Sequence, residues 1–516
     1  MHSDFGVKKQ IKHPINPAQA LNLNQFYIYL KRSGQIVLLF IFCASTDSVA
    51  QIELSNFTAT GRAGISSTLA TDYQAQGVNP ANLALDPSHE GMHHTIGFGE
   101  LGFSVYSDAL SKLNLRSALF NSEKKLSREE KNKAATDFAG KGLTVNMDFL
   151  YAGYAWQRVS GGSGFAFTMR ERAQWYSKFN PLAAEIMFKG FNASSYFDSL
   201  VTKSNFDTAT QKFVIDTVGA LALIPKTLSQ ILEGTRISMS WNREYAFSYG
   251  VNVVNNYDFK LDIGVGIKYI QGIGYLDIQS DGKTLKAFIS SSPWFGIKFF
   301  KPDSAGRVAA TGQNIGFLPN SAGNGVGFEF GVTSIIKEHY RVSASLTDLG
   351  SVNYQTNVYT ASDTLLTNIS NNGFSSYNFF RNAEQFDGFQ KDLIKWEGLK
   401  NRRQFLPTKL RLGFAITYEK WNAGVETVIP LNDASGNFVR PVYSIGGEYR
   451  AIEWLRIGSG VLFGGNYSNA MVPLGITFIT SGGLWELGVA SRDVLTYVKQ
   501  KKPMLSLSTG FLRFRF

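Results

Sequence analysis

Strict alternation of apolar and polar side chains over stretches of about ten residues, repeated to the last residue, constrains this chain more than any other feature. Leu410, Leu412, Phe414, Ile416 and Tyr418 alternate with Lys409, Arg411, Gly413, Ala415 and Thr417. Leu261, Ile263, Val265, Ile267 and Tyr269 alternate with Asp262, Gly264, Gly266, Lys268 and Ile270. Tyr340, Val342, Ala344 and Leu346, and Val326, Phe328, Phe330 and Val332, repeat the pattern. A period of two marks a β-strand with two different faces. Strands are predicted at 95–106, 142–156, 164–175, 238–254, 259–275, 326–336, 340–358, 408–418, 421–430, 441–450, 453–463, 470–480, 484–492 and 505–516. That is fourteen, with twelve or sixteen as neighbouring counts, since 283–300 could hold one more hairpin.

Two architectures use such strands. A sandwich turns its apolar faces inward, and a membrane barrel turns them to lipid. Three features favour the barrel. The strands are long enough for a tilted span. Tyr418, Trp421, Tyr449 and Trp454 sit near strand ends, where interfacial girdles lie. Connections after even-numbered strands are short, such as Glu419-Lys420 and Ala451-Ile452, while 107–141, 176–237, 276–325 and 359–407 are very long. Short periplasmic turns and long external loops belong to outer-membrane barrels. The expected fold is therefore all-β, a transmembrane antiparallel β-barrel over 95–516. Its long loops, with Leu110, Leu113, Leu115, Leu119 and Phe120 in one and Phe188, Phe191, Phe197 and Leu200 in another, are expected to form short helices over the mouth. On this reading Leu412, Phe414, Val342 and Ile263 face hydrocarbon, and a charge at Ala415 is tolerated better than one at Leu412.

Composition closes other routes. The 50 Gly, 40 Phe and 22 Tyr suit a large β-structure with many turns, and hydrophobic residues at 44% exclude a disordered chain. A single Cys rules out a disulfide scaffold or a cysteine zinc module. No apolar run reaches about 18 residues, so no helical span is expected. The formal charge of +11 is spread along the chain rather than clustered, so no nucleic-acid partner is expected.

Both ends carry export features. Lys31-Arg32, the apolar run Ile36 to Ala44 and Ser48-Val49-Ala50 form a signal peptide with cleavage expected between Ala50 and Gln51. Residues 1–50 are thus an N-terminal extension and leader, with residues 1–30 consistent with an over-long start. Phe40-Ile41-Phe42 before Cys43 is no lipobox. The chain ends Phe511-Leu512-Arg513-Phe514-Arg515-Phe516, and a terminal Phe516 with Phe514 two before it resembles the signal read by the barrel-assembly machinery.

Between leader and first strand lie Gly61-Arg62-Ala63-Gly64 and Gly77-Val78-Asn79-Pro80-Ala81-Asn82-Leu83-Ala84. These resemble the N-terminal hatch of FadL-type long-chain fatty acid transporters and of the related PorV-type barrels of Bacteroidetes. Ser345-Leu346-Thr347-Asp348-Leu349-Gly350 and Leu406-Pro407-Thr408-Lys409-Leu410 look like the Bacteroidetes branch. The resemblance implies a fourteen-stranded barrel with residues 51–94 as a hatch or plug segment, Asn79, Pro80, Ala81 and Leu83 carrying its motif. Locally, Asn79 is a good N-cap with Pro80 at the first helical position.

The resemblance also implies two roles. FadL-type proteins take up hydrophobic molecules through an apolar pocket and a sideways opening. PorV-type relatives act with a protein secretion system and offer external loops to cargo. Here the inward faces carry Asp262, Lys268, Glu329, Arg341, Lys409, Arg411, Glu426, Glu448, Arg456 and Glu486, which looks less apolar than a fatty-acid path. A sideways break is expected at the third strand, where Glu171 interrupts the outward Phe165, Phe167 and Met169 after Gly161, Gly162 and Gly164; the alternative places Glu171 above the hydrocarbon.

His89-Glu90-Gly91-Met92-His93 matches a zinc-protease motif. Gly91, nearby Pro87 and the strand that follows at once argue against the helix it needs, so a polar link is expected. No nucleophile elbow, phosphate loop or dinucleotide fingerprint appears, so neither enzyme activity nor a cofactor is expected. The expected setting is the cell outer membrane. The expected partners are its lipid, the assembly machinery, and a hydrophobic ligand or a secretion partner.

Overall fold

The computed structural model describes residues 56–86, 92–120, 125–158, 161–207, 212–295, 318–377, 394–437, 440–465, 467–498 and 501–516. Ala50, Gln51, His89 and Glu90 lie outside these residues, and so does all of the 1–50 leader.

Fourteen strands close into one antiparallel ring. They are β1 (His94–Ser107), β2 (Gly142–Gln157), β3 (Ser163–Lys178), β4 (Arg236–Asn255), β5 (Phe259–Ser280), β6 (Gly323–Ile336), β7 (Tyr340–Tyr354), β8 (Lys409–Thr417), β9 (Trp421–Pro430), β10 (Val442–Ile452), β11 (Leu455–Gly464), β12 (Leu474–Ile479), β13 (Trp485–Ser491) and β14 (Met504–Arg515). Each pairs with the next, and β14 returns to β1 from Thr95 opposite Arg515 to Tyr106 opposite Met504. Closure removes both sheet edges, which a sheet in lipid cannot leave open. Every predicted strand is present, with shifted ends. The seventh stops at Tyr354, before a turn in which Asn357 has positive φ. The twelfth begins only at Leu474, because Pro473 has no N–H for the ladder.

The alternating faces are assigned by burial. Ile263, Val265, Ile267, Phe328, Phe330, Val332, Val342, Leu412 and Phe414 are exposed on the outside, while Asp262, Lys268, Glu329, Lys409, Arg411 and Glu426 are buried inside. On β5 the outward apolar residues run from Phe259 to Tyr269. At about 3.3 Å per residue and a tilt of about 40°, that run covers roughly 25 Å, the height of a lipid-facing band.

The row above this band is polar. Glu171, Arg243, Gln271 and Asn324 stand directly opposite one another across β3 to β6. Glu171 Oε2 accepts from Arg243 Nε at 3.0 Å and from the Tyr151 hydroxyl at 2.9 Å, and Glu171 Oε1 accepts from Trp241 Nε1 at 2.6 Å. β3 pairs with β2 and β4 straight through Glu171. The expected break in the third strand is therefore absent. Glu171 interrupts the apolar face because the face has ended, and the extra residue in this row is a bulge in β2 between Leu150 and Ala152.

The external loops differ in part from expectation. Helices form at Lys112–Phe120 and Arg128–Phe138, the latter started by a capping box of Ser127 and Glu130. Pro181–Lys189 is also helical, capped by Asn180. Beyond it lie a β-hairpin, Ser199–Asp207 with Lys212–Leu221, and a short helix at Leu228–Ile231, so the apolar residues from Val218 to Ile224 belong to a strand and its exit rather than to a helix. The hairpin suspected within 283–300 forms in part: Leu285–Ser291 pairs with the upper end of β5 in place of β6. Loop side chains, with Phe138, Phe188, Phe197, Phe374 and Ile231 among them, share one apolar core over the barrel mouth. Among the described residues no helix is long and apolar enough to cross a membrane.

Candidate functional site

The lumen at the end holding the short turns is occupied by residues 56–86. Nearly every side chain of this segment is buried against the inner wall. Short helical turns at Phe57–Gly61, Asp72–Ala75 and Pro80–Ala84 shape it. Asn56 and Asn79 cap the first and last by accepting from the N–H groups of Ala59 and Ala81.

The wall is cut to receive this segment. Gly97 and Gly153 are opposite each other on β1 and β2, and the Tyr73 ring lies over both; a Cβ on Gly153 would fall 2.6 Å from its Cδ2. Gly488 and Gly510, paired on β13 and β14, carry the Phe57 ring, and a Cβ on Gly510 would fall 2.7 Å from its Cε1. Gly458 and Gly475, paired on β11 and β12, face Gly61. Gly250, Gly264 and Gly331 continue the track beneath Leu83, Pro80 and Asn79. In each case the missing side chain lets a backbone or ring approach the strand closely.

Charges on the wall end at this segment. Glu426 Oε2 accepts from the N–H groups of Ser66 at 2.6 Å and Ser67 at 2.8 Å, with Arg411 Nη1 at 3.3 Å from Oε1. Asp72 meets Arg513 Nη2 at 2.5 Å, and Glu486 bridges Arg513 and Arg515 at 3.1 Å each. Gly77 donates its N–H to Glu329 Oε2 at 3.0 Å, while Lys268 Nζ lies 2.5 Å from Glu329 and 2.6 Å from Asp348. The Tyr73 hydroxyl donates to Glu100 at 2.5 Å. Burial, and then the Glu100 carboxylate, push the Tyr73 phenol well above its ordinary range, so it remains a donor.

Two asparagines of the motif stretch, Asn79 and Asn82, meet at one hydroxyl. Asn79 Nδ2 donates to Thr333 Oγ1 at 2.8 Å and to Ser67 O at 2.8 Å, and Thr333 Oγ1 donates to Asn82 Oδ1 at 2.7 Å. Leu83 is fully buried with Tyr73, Leu150, Ala155 and Ala166. Pro80 and Ala81 lie against Gly264.

Above this level the inner wall carries two apolar clusters, set among buried polar side chains such as Ser104, Asn146, Ser240 and Asn242. Tyr106, Leu462, Tyr467, Met471 and Met504 cluster with Ala63 on one side, and Tyr106 and Tyr467 meet edge to face at 5.0 Å. Ile270, Tyr275, Val352, Tyr354 and Leu406 cluster on the β5–β7 side. The lumen therefore changes along its axis from a densely charged seat to a wall of apolar patches among mostly uncharged polar side chains, a gradation invisible when inward charges are only counted.

The remaining sequence features fall at the base. Phe514 pairs with Ile96 and Trp485. Phe516 O accepts from the N–H groups of His93 and His94, and its ring stacks on His94 at 5.3 Å. His93 immediately precedes β1 and is not on a helix. The glycine track and its rings, Phe57 and Tyr73, were not singled out from sequence. The signal was present as glycine recurring on inward positions of paired strands.

A fourteen-stranded membrane-type barrel with residues 56–86 inside it is thus the class that fold and site define. The chain matches the family of unknown function DUF5723 over residues 87–479, and it belongs to that family. Among curated proteins none matches. Solved structures similar to it include the Pseudomonas putida toluene transporter TodX, at 10% identity over 91% of this chain and 99% of that one, TM-score 0.40. The Ralstonia pickettii toluene transporter TbuX is 11% identical over 90% and 98%, TM-score 0.39. A Pseudomonas aeruginosa FadL homologue is 10% identical over 90% and 97%, TM-score 0.36.

Proposed function

We propose that this protein is an outer-membrane channel for small hydrophobic molecules, with residues 56–86 as a movable plug, and that it performs no chemistry on what it passes. The observation that carries the reading is the gradation of the lumen. Its charges are concentrated where the plug sits, neutralised by ion pairs and plug amides, and the wall beyond carries apolar patches of Tyr, Met, Leu and Ile among mostly uncharged polar side chains. A hydrophobic solute gains by entering such a wall and is stopped by the polar seat until the plug moves. The plug is held by polar bonds and by rings resting on glycine, contacts that can be broken and remade without unfolding the ring of strands.

The test uses purified full-length protein in proteoliposomes loaded with a fluorescent reporter of hydrophobic solutes. Entry of a monoaromatic hydrocarbon should be faster than in empty liposomes, and faster again when residues 56–86 are deleted. Equal rates in all three preparations would overturn the channel reading.

A further inference from the structure

The loop between β3 and β4 projects an arm that the channel reading does not use. Its strands Ser199–Asp207 and Lys212–Leu221 pair with each other, and only the base, Leu221 and Ala220, meets a third strand, Asn368–Ile369. Among the described residues nothing pairs with the outer edge of Ser199–Asp207. A two-stranded ribbon alone in water is marginal at best.

The arm is amphipathic. Register places Leu200, Thr202, Ser204 and Phe206 on one face with Phe213, Ile215 and Thr217, and places Lys203, Asn205, Val214 and Asp216 on the other. Phe206 and Phe213 touch at 5.2 Å. Leu200, Phe206, Phe213 and Ile215 are 56%, 53%, 73% and 71% exposed. A large apolar side chain presents roughly 150–250 Å². These four therefore leave about 500 Å² of apolar surface on one side of the arm, at the upper end for a monomer.

We propose that this face is an interface between two copies of the chain, packed arm to arm about a twofold axis. Two such faces together withdraw about 1,000 Å² from water, the size at which a specific interface begins. Charge selects the occupant. On the opposite face Lys203 lies across from Asp216, so the arm is neutral. The basic rim that an anionic lipid surface attracts is missing. A neutral apolar face is complementary to its own copy, and a twofold axis satisfies both copies with one patch.

The test is the oligomeric state of the full chain in mild detergent, by light scattering and sedimentation. Wild type should be a dimer, and Phe213→Ser with Ile215→Ser should weaken it at least tenfold while the protein keeps its heat-modifiable barrel band. Lys203→Glu, on the other face, should leave the dimer intact. Thr202→Cys should form a disulfide-linked dimer on mild oxidation. A wild-type monomer, or a dimer that the double substitution does not weaken, overturns the proposal. A blue shift of Phe213→Trp fluorescence in lipid vesicles, under conditions where the protein is monomeric, also overturns it and makes lipid the occupant. None of these outcomes bears on hydrocarbon entry, so the channel reading and this one fail separately.

Discussion

The bond that should matter most for holding residues 56–86 in the lumen is the one Glu426 makes. Its carboxylate takes the backbone N–H groups of Ser66 and Ser67 at 2.6 and 2.8 Å and lies 3.3 Å from Arg411, whose side chain is fully buried. Hydrogen bonds to a charged group contribute about 1.5–3 kcal/mol each. Two such bonds cross from Glu426 to the plug, while its pair with Arg411 joins two wall strands and is lost from the barrel whether or not the plug is seated. Glu426→Ala should therefore weaken the seat by about 3–5 kcal/mol, shifting the ratio of seated to unseated segment by at least roughly a hundredfold. Single-channel recording in planar bilayers should show openings that wild type shows rarely. Protease added to the short-turn side should cut within 56–86 of the variant and spare wild type. Glu426→Ala with Arg411→Met removes the uncompensated charge and should recover barrel stability without reseating the plug. If Glu426→Ala stays closed and protected while its barrel melts at a lower temperature, the carboxylate serves the wall alone and the latch argument is wrong.

Other perturbations test the two faces and the glycine track. Leu412→Arg places a charge against hydrocarbon and should cost about 2–4 kcal/mol in barrel stability, read by urea titration in lipid. Ala415→Glu should also be damaging, contrary to what an inward position suggests, because Ala415 is packed against Ile65 and Leu69; deleting 56–86 should relieve this defect and leave that of Leu412→Arg unchanged. Gly488→Ala drives a methyl into the Phe57 ring and should cost about 1–3 kcal/mol, with Phe57→Ala restoring most of it in a double-mutant cycle. Glu171→Ala strips Arg243, Trp241 and Tyr151 of their shared acceptor above the lipid band, and should lower thermal stability without raising conductance; new conductance would mean that this row seals the wall.

What the sequence made legible was everything that depends on a period of two. Outward Ile263, Val265 and Ile267 face lipid all along β5, so the pattern is written in full and the strand is found to within a few residues. Turn lengths were legible for the same reason, since one end of the barrel connects by a few residues and the other does not. The seat was only half legible. Asp262, Lys268, Glu329 and Glu426 could be placed on the inward face, but their partners are up to 360 residues distant along the chain, as with Ser66 and Glu426. Sequence alone therefore made the lumen look uniformly charged, where the structure separates a charged seat from a vestibule with apolar patches. Tyr73 was illegible because its site is made of absences: Gly97 and Gly153 register only as missing side chains until two strands are brought side by side. The arm at Ser199–Asp207 was hidden differently. Its apolar residues have no core to face, so Phe213 and Ile215 read like the buried loop residues around them, and only the folded chain shows which were left uncovered. Apolar residues on an external loop thus carry two meanings, a shared core over the mouth or a surface awaiting its own copy. Exposure in the assembled structure, rather than hydropathy, separates Phe188 and Phe197 from Phe206 and Phe213.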